Sequence, residues 1–183
     1  MSNELFKKTL CRRSFLALSA GCAIGAALSL PLTGYARQVP ADAISFFHTH
    51  TGEKLIIPGD TFTSQVIRKV NRFLRDFRTG GTHPIDPALL HMLAEIKKIS
   101  GCKGTFEVIS GYRSPVTNEK LRQKSGGVAK KSLHTLGRAI DVRLTGLKTS
   151  TLKEIAWSLQ QGGVGYYPKS DFVHLDTGRV RTW

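Results

Sequence analysis

Cysteine is scarce in this chain, with three residues among 183, and two of them, Cys11 and Cys22, lie in an N-terminal segment that we expect to be removed. Cys102 then remains alone, which excludes an internal disulfide. Internal repeats, low-complexity tracts and an interdomain linker are absent as well. Without residues 1–36 the chain keeps 147 residues, which is enough for one domain with a proper hydrophobic core.

Acidic residues are also few, with 13 Asp and Glu against 27 Lys and Arg and a formal net charge of +14 at pH 7. The segment 1–36 takes away four basic residues and one acidic residue, so the remainder carries +11. Such an excess favours an anionic partner, and nucleic acid is the usual first candidate. We exclude nucleic acid because the N-terminal segment predicts export, and the anionic polymer outside the cytoplasmic membrane is the cell wall.

Long apolar runs are confined to residues 15–30. Basic residues precede this run and Gly34-Tyr35-Ala36, a small-x-small cleavage site, follows it, so residues 1–36 are predicted to be a secretory signal peptide. The run is short for a membrane span, and we expect no stable membrane insertion after its removal. Residues 37–183 are predicted to form a single domain in the periplasm or cell envelope.

The adjacent residues Arg12 and Arg13 indicate the export route. This pair favours the twin-arginine route, and the alternative is a general secretory signal that contains two arginines. A lipoprotein anchored at Cys22 is a weaker alternative, because Ser19-Ala20-Gly21 is a poor match to the residues that precede such an anchor.

The densest group of chemically useful residues runs from Ser132 to Asp141. His134 and Asp141 lie seven residues apart, and Gly137 between them can adopt the backbone angles of a turn. Residues 139–144 then alternate as a strand whose apolar face enters the core. Asp141 lies on the opposite face, where His134 can fold back to meet it.

A third side chain of the same kind lies in the strand-like run 172–176, which carries His174. If this strand lies beside the first, two imidazoles and one carboxylate meet. Three such ligands with a fourth position left for water form a catalytic zinc site. The alternative is a buried polar cluster without metal. Two histidines and an aspartate in this motif favour the metal, and we predict one Zn²⁺ per chain held by His134, Asp141 and His174.

The motif Ser-x-His-x-x-Gly-x-Ala-x-Asp with a distant strand-borne His resembles the zinc peptidases of the lysostaphin, D-Ala-D-Ala metallopeptidase and hedgehog group. The closer resemblance is to the murein endopeptidase K (YcbK-like) family, and it covers nearly all of the chain after residue 36. It runs through residues 110–114, 126–131, 162–168 and 172–178. The resemblance implies a zinc metallopeptidase that hydrolyses peptide cross-links between the stem peptides of peptidoglycan.

The resemblance also implies roles for residues around the metal. Arg113 presents a planar fork that pairs with carboxylates, and the arginine at this place in the group helps to bind substrate; the alternative is a structural salt bridge. Ser132 resembles a substrate-contacting serine. Hydrolysis also needs a proton acceptor. Asp171 is favoured, as the acidic-x-x-His residue, over Asp176, which has the side-chain parity of His174 and suits a partner that orients its imidazole N–H.

The remaining pattern predicts an α+β fold. Amphipathic spacing predicts a helix over 62–77, a second from Asp86-Pro87 to Gly101, and shorter ones over 118–124 and after Thr151. Strands are predicted over 43–50 and 54–57 as a hairpin, and over 106–110, 139–144, 164–167 and 172–176. Because no long βαβ unit repeats, we expect a small, mostly antiparallel sheet with helices packed on one face, like that of the hedgehog and D-Ala-D-Ala peptidases.

Two other functions fit the same residues. One is a D,D- or L,D-carboxypeptidase that trims the ends of stem peptides, and the other is a non-catalytic, metal-stabilised module that binds the cell wall. Peptidoglycan is the expected partner in all three cases. No pattern in the sequence indicates which cross-link is cut or the oligomeric state.

Overall fold

The structure, a computed structural model, describes residues 42–125 and 127–183, so the predicted signal peptide lies outside the described residues. The strands are β1 (Ile44–His48), β2 (Lys54–Ile57), β3 (Phe106–Ser110), β4 (Ala139–Leu144), β5 (Gly163–Tyr167), β6 (Phe172–Asp176) and β7 (Arg181–Thr182). The α-helices are α1 (Ser64–Phe73), α2 (Pro87–Ser100), α3 (Pro115–Lys124) and α4 (Thr149–Ser158). Short 3₁₀ helices cover Leu133–Leu136 and Pro168–Ser170.

The strands form one sheet in the order β2-β1-β3-β4-β6-β5-β7. Four of the six pairings are antiparallel, and only β1 with β3 and β5 with β7 run parallel. The predicted α+β class with a mostly antiparallel sheet is therefore confirmed. Within residues 42–125 and 127–183, no helix has the length and apolar character needed to cross a membrane.

The hydrophobic core lies between one face of the sheet and the helices α1, α2 and α4. Alternate strand residues point into it, as the period of two in β3, β4 and β6 requires. The buried members from the sheet are Ile44, Phe46, Ile57, Phe106, Val108, Ile140, Val142, Leu144, Val164, Val173 and Leu175. Each large apolar side chain buried here contributes roughly 1.5–3 kcal/mol to folding. The opposite face of β4 and β6 is thereby left to polar side chains.

Helix α1 is shorter than predicted and ends at Phe73 rather than Phe77. The Leu74 carbonyl accepts a hydrogen bond from the amide of Tyr112, a residue distant in sequence, at 2.8 Å. This carbonyl is therefore bonded to another segment instead of to the next turn of the helix. Amphipathic spacing continues past this point because Phe77 still packs on the histidines of the first hairpin. Periodicity alone could not mark the end of the helix.

Asp76, just after α1, joins this part of the chain to the start of α3. Its buried carboxylate accepts hydrogen bonds from the Ser114 amide at 2.9 Å, the Ser114 hydroxyl at 2.6 Å and the Arg78 amide at 3.0 Å. Burial by itself raises the pKa of Asp76, but these hydrogen bonds outweigh it and lower the pKa to about 2. The Asp76 carboxylate, which is ionised at neutral pH, therefore fixes the segment that carries Arg113 through its hydrogen bonds to Ser114.

His48 is a fully buried histidine at the end of β1. Its Nδ1 accepts a hydrogen bond from the His50 amide at 3.2 Å, so Nε2 carries the proton of the neutral ring, and Nε2 has no hydrogen-bond partner among the described residues. The ring packs against the edges of Phe73 and Phe77. Burial, with a smaller contribution from the nearby His50, lowers the pKa of His48 to about 4.

Because of His48, we expect the folded protein to lose stability as the pH falls. Between its ordinary pKa of about 6.5 and its folded pKa of about 4, the unfolded chain binds a proton that the folded chain does not. Protonation of His48 in the unfolded chain therefore lowers the free energy of unfolding as the pH falls from 6.5 to 4, by up to about 3 kcal/mol. Above pH 6.5 His48 has no such effect. Urea unfolding at pH 7, 5.5 and 4 measures it. His48→Phe should flatten this pH dependence, whereas His91→Gln, at an exposed histidine of α2, should not. An equally steep dependence in His48→Phe would contradict the prediction.

Candidate metal centre and active site

Three of the predicted residues meet on the face of the sheet opposite the core. Asp141 in β4 lies directly across from His174 in β6, and His134 enters from the 3₁₀ helix Leu133–Leu136. Asp141 Oδ1 is 2.8 Å from His174 Nδ1 and 3.2 Å from His134 Nε2, and the two nitrogens are 3.2 Å apart. All three side chains thus present one ligand atom to a common point.

Gly137 makes the turn that brings His134 and Asp141 together. Its φ is +66°, in the left-handed region that favours glycine. A Cβ at this position would lie 2.1 Å from the Pro84 carbonyl oxygen, and the Gly137 carbonyl accepts a hydrogen bond from the Asp86 amide at 2.9 Å. No other residue fits here, so the turn and its contact with the start of α2 both need glycine.

Hydrogen bonds fix the tautomer of each imidazole. His134 Nδ1 lies 2.7 Å from the Gly111 carbonyl oxygen, which can only accept, so this nitrogen carries the proton. His174 Nε2 lies 3.1 Å from Asp176 Oδ2, a carboxylate oxygen, so the same reasoning places its proton there. The nitrogens that face Asp141 therefore offer lone pairs.

This donor set fits a metal cation. Two nitrogen lone pairs and a carboxylate oxygen converge, and no hydrogen-bond donor between them would offset their mutual repulsion in the neutral form. A cation among them does so, and two imidazoles with one carboxylate are the ligands of catalytic zinc sites. A purely structural polar cluster would instead pair donors with acceptors.

The electrostatics of His134 and Asp141 agree with this fit, and at His174 a metal has to displace a proton. Burial lowers the pKa of His134 and keeps its ring neutral. Burial alone would raise the pKa of Asp141, but the two histidines outweigh it and hold this pKa well below its usual range. The pKa of His174 is raised, because hydrogen bonds to Asp141 and Asp176 outweigh its burial. A neutral His134 and a charged Asp141 are the protonation states that metal binding requires.

Arg113 contacts the proposed ligand Asp141 directly. Its Nη2 donates to Asp141 Oδ2 at 2.9 Å and its Nε donates to the Ser110 hydroxyl at 3.0 Å. The Arg113 amide also donates to the His134 carbonyl at 3.1 Å. The salt bridge considered as an alternative for Arg113 is thus present, and it orients the carboxylate that faces the histidines.

A cavity of about 490 Å³ opens above the three residues, a volume typical of small-ligand sites. On the β3 side and along the segment before His134 it is lined by Arg113, Lys131 and Ser132. On the side of β5, β6 and β7 it is lined by the aromatic side chains of Tyr167, Phe172 and Trp183. Ser132 thus lines the same cavity as His134, Asp141 and His174.

Comparison of the sequence with known proteins identifies a family for this chain. The family model described as "Peptidoglycan L,D-endopeptidase MepK" matches residues 37–183, which include every residue of the site. The chain belongs to the MepK family. It is 42% identical over 177 residues to the peptidoglycan L,D-endopeptidase MepK of Escherichia coli K12, across 94% of this chain and 96% of that protein, and the MepK of Shigella flexneri gives the same figures. The probable MepK of Haemophilus influenzae is 42% identical over 144 residues, 76% of this chain and 77% of that protein.

In this MepK-family chain, the two candidates for the general base lie in different surroundings. Asp176 is fully buried and lines the cavity. Its carboxylate lies beside His174 Nε2 and accepts from both terminal nitrogens of Arg181, at 3.1 and 2.7 Å. These contacts, which outweigh its burial, hold the pKa of Asp176 well below its usual range.

Asp171, the favoured candidate, lies outside the cavity lining. It follows the 3₁₀ turn Pro168–Ser170 with φ +50°, and its side chain is 62% exposed. Its Oδ1 accepts from the Thr149 hydroxyl at 2.9 Å and its Oδ2 lies 3.6 Å from Arg143. The left-handed turn aims the carboxylate toward the start of α4, so this geometry does not support a role for Asp171 as the base.

Several residues that line the cavity of this MepK-family chain are not among the predicted site residues, including Lys131, Tyr167, Phe172, Arg181 and Trp183. Arg181 and Trp183 reach the cavity because the short β7 pairs in parallel with β5. The local signals are Gly163, which lies against Arg181, and Gly165, since a glycine inside a strand often marks the close approach of another group. A Cβ at Gly165 would lie 2.6 Å from the indole of Trp183.

Proposed function

We propose that this chain is an exported, zinc-dependent peptidoglycan L,D-endopeptidase that hydrolyses amide cross-links between stem peptides. The observation that carries the proposal is the convergence of His134 Nε2, Asp141 Oδ1 and His174 Nδ1 beneath a cavity. Similarity to MepK proteins over 94% of the chain supports the substrate and the bond type. The ligand chemistry supports the metal.

Zinc held by these three side chains would supply the Lewis acidity for attack of water on an amide carbonyl. The other residues of the site keep the ligands in place. Arg113 orients Asp141, the Gly111 carbonyl orients His134, and Asp176 orients His174. We assign Asp176 to this positioning role because it contacts the imidazole nitrogen that points away from the converging ligand atoms. Ser132 and Lys131 lie where they can bind the substrate.

Digestion of purified sacculi tests the proposal. The zinc-loaded protein should convert L,D-cross-linked dimers to monomers, as seen by chromatography and mass spectrometry, and should leave other cross-links intact. The same preparation treated with a chelator is the control. Monomers that lose one terminal residue would instead indicate a carboxypeptidase. Retention on sacculi without any product would indicate a wall-binding module, and either result overturns the proposal.

We also propose that residues 1–36 are a signal peptide and that residues 37–183 act in the periplasm or cell envelope as a single domain. The basic, apolar and small-x-small layout of the first 36 residues supports this, as does the first residue of the family match, 37. The use of the twin-arginine route rests on Arg12 and Arg13 alone.

Arg113→Lys should reduce turnover of cross-linked dimers by about tenfold or more. Lysine keeps the positive charge, but one ammonium group cannot reach Ser110 and Asp141 at once as the planar fork does. Because such supporting contacts typically contribute 10–100-fold to metal affinity or activity, zinc affinity should fall in parallel. Turnover at saturating zinc and competition with a chelator measure the two effects. If zinc affinity stays unchanged while the Michaelis constant rises, Arg113 binds substrate rather than Asp141.

A further inference from the structure

Tyr167, Phe172 and Trp183 form a continuous aromatic wall along one side of the cavity. The Tyr167 and Phe172 rings stack with centroids 4.6 Å apart. The Trp183 indole donates its N–H to the Tyr167 hydroxyl at 2.9 Å. The indole N–H and the Tyr167 hydroxyl are therefore bonded to each other, and the aromatic wall presents carbon surface to the cavity.

Trp183 is held rigidly although half of it is exposed. Its amide donates to the Val164 carbonyl at 3.3 Å, and its carbonyl accepts from the Tyr166 amide at 3.0 Å. The indole lies on the bare backbone of Gly165, and the Arg181 guanidinium lies over it at 4.8 Å. The residue is nevertheless 49% exposed. A large aromatic side chain that is fixed in place and open to solvent beside a cavity is typical of a binding surface.

The position of the aromatic wall limits what it can contact. The centroid of Trp183 is 5.3 Å from that of His174, one of the three residues that face the reacting bond in the proposed function. A substrate group that contacts the indole is therefore within about one residue of the bond that is cut. The sugar that carries a stem peptide is two or more residues away, roughly 7 Å or more of extended chain.

We propose that the aromatic wall binds the aliphatic carbons of the diamino acid whose amide is cut, and so sets the length of side chain that the site accepts. This inference rests on the proposed function. A diamino acid such as diaminopimelate combines a short hydrocarbon chain with a carboxylate. The cavity offers both complements, carbon surface at Trp183 and the cation of Lys131, which lines the same cavity.

Two synthetic cross-linked dimers test this inference, one with diaminopimelate at the cut position and one with a diamino acid shorter by two methylenes. Each buried methylene contributes about fourfold, so the parent should prefer the natural dimer by roughly 15-fold in kcat/KM. Trp183→Ala should reduce that preference to about threefold or less with bound zinc unchanged. A merely structural role for Trp183 would lower both rates equally and leave the preference intact. Trp183→Phe, which keeps a flat apolar ring, should retain most of the preference.

Trp157→Phe provides the matched control and a second measurement. Trp157 lies on α4, and Trp183 is the other tryptophan of the two in the chain. Trp157→Phe should keep the parent preference, and its remaining fluorescence should shift when the diaminopimelate-containing product peptide binds. If the parent cuts neither dimer, the proposed function fails, while the fluorescence shift still tests the aromatic wall. An unchanged preference in Trp183→Ala, or a loss seen only with dimers that carry sugars, overturns the inference.

Discussion

Alanine in place of His134, Asp141 or His174 is expected to abolish hydrolysis of cross-linked dimers, with a loss of more than about 10³-fold in turnover. A metal Lewis acid contributes several kcal/mol to such a reaction, and each 1.36 kcal/mol is tenfold in rate. Each substitution also removes one of three ligand atoms that lie within 4.8 Å of one another. Turnover should be measured together with zinc content, which should fall from one equivalent per chain in the parent.

His91→Ala is the matched control for these variants, because His91 is an exposed histidine on α2. It should keep both full activity and one equivalent of zinc. Added zinc should raise the melting temperature of the parent and of His91→Ala but not that of the three ligand variants, since a ligand that binds the folded state stabilises it. Full zinc occupancy after loss of any one of the three side chains would show that the ligand set is different.

Asp176→Asn is expected to reduce activity by about 100-fold and to weaken zinc binding. The amide cannot accept as the carboxylate does from both His174 and Arg181, so the imidazole loses its orientation. The substitution also leaves the Arg181 guanidinium without its buried partner, and breaking such a pair costs about 3–5 kcal/mol of stability. Zinc affinity, turnover at saturating zinc and urea unfolding measure the three consequences.

Asp171→Asn is the companion variant, and it should keep activity within about twofold of the parent. Its carboxylate is exposed and bound to Thr149, outside the cavity lining. General acid–base catalysis typically contributes about 10²–10⁴-fold. A loss of that size in Asp171→Asn with zinc still bound would make Asp171 the base and would require its turn to move when substrate binds.

Much of the site follows from short-range patterns. Period-two alternation places Asp141 and His174 on the polar face of their strands, and the freedom of glycine places the turn at Gly137. The sequence could not specify which strands are neighbours or their register. Asp141 lies directly opposite His174 because β4 and β6 pair antiparallel, although β4 and β5 are closer in the chain.

The unpredicted features depend on contacts between distant segments. The backbone of Asp171 takes a left-handed conformation at the end of a 3₁₀ turn, and no periodicity describes such a turn. Arg181 and Trp183 reach the site through a parallel pairing that begins at Gly163, and a two-residue strand is too short to show alternation. Asp76 lies 38 residues from the Ser114 that it binds. Each of these placements is decided by tertiary contacts rather than by local preference.

The short strand β7 serves both halves of the proposed site. Arg181 holds the carboxylate that orients His174, and two residues later Trp183 supplies the aromatic surface for substrate. Occupancy of either the metal site or the aromatic wall should therefore favour the same docked state of this edge strand. Linkage requires the effect to be reciprocal, so zinc should raise the affinity for the peptide by the same factor as the peptide raises the affinity for zinc.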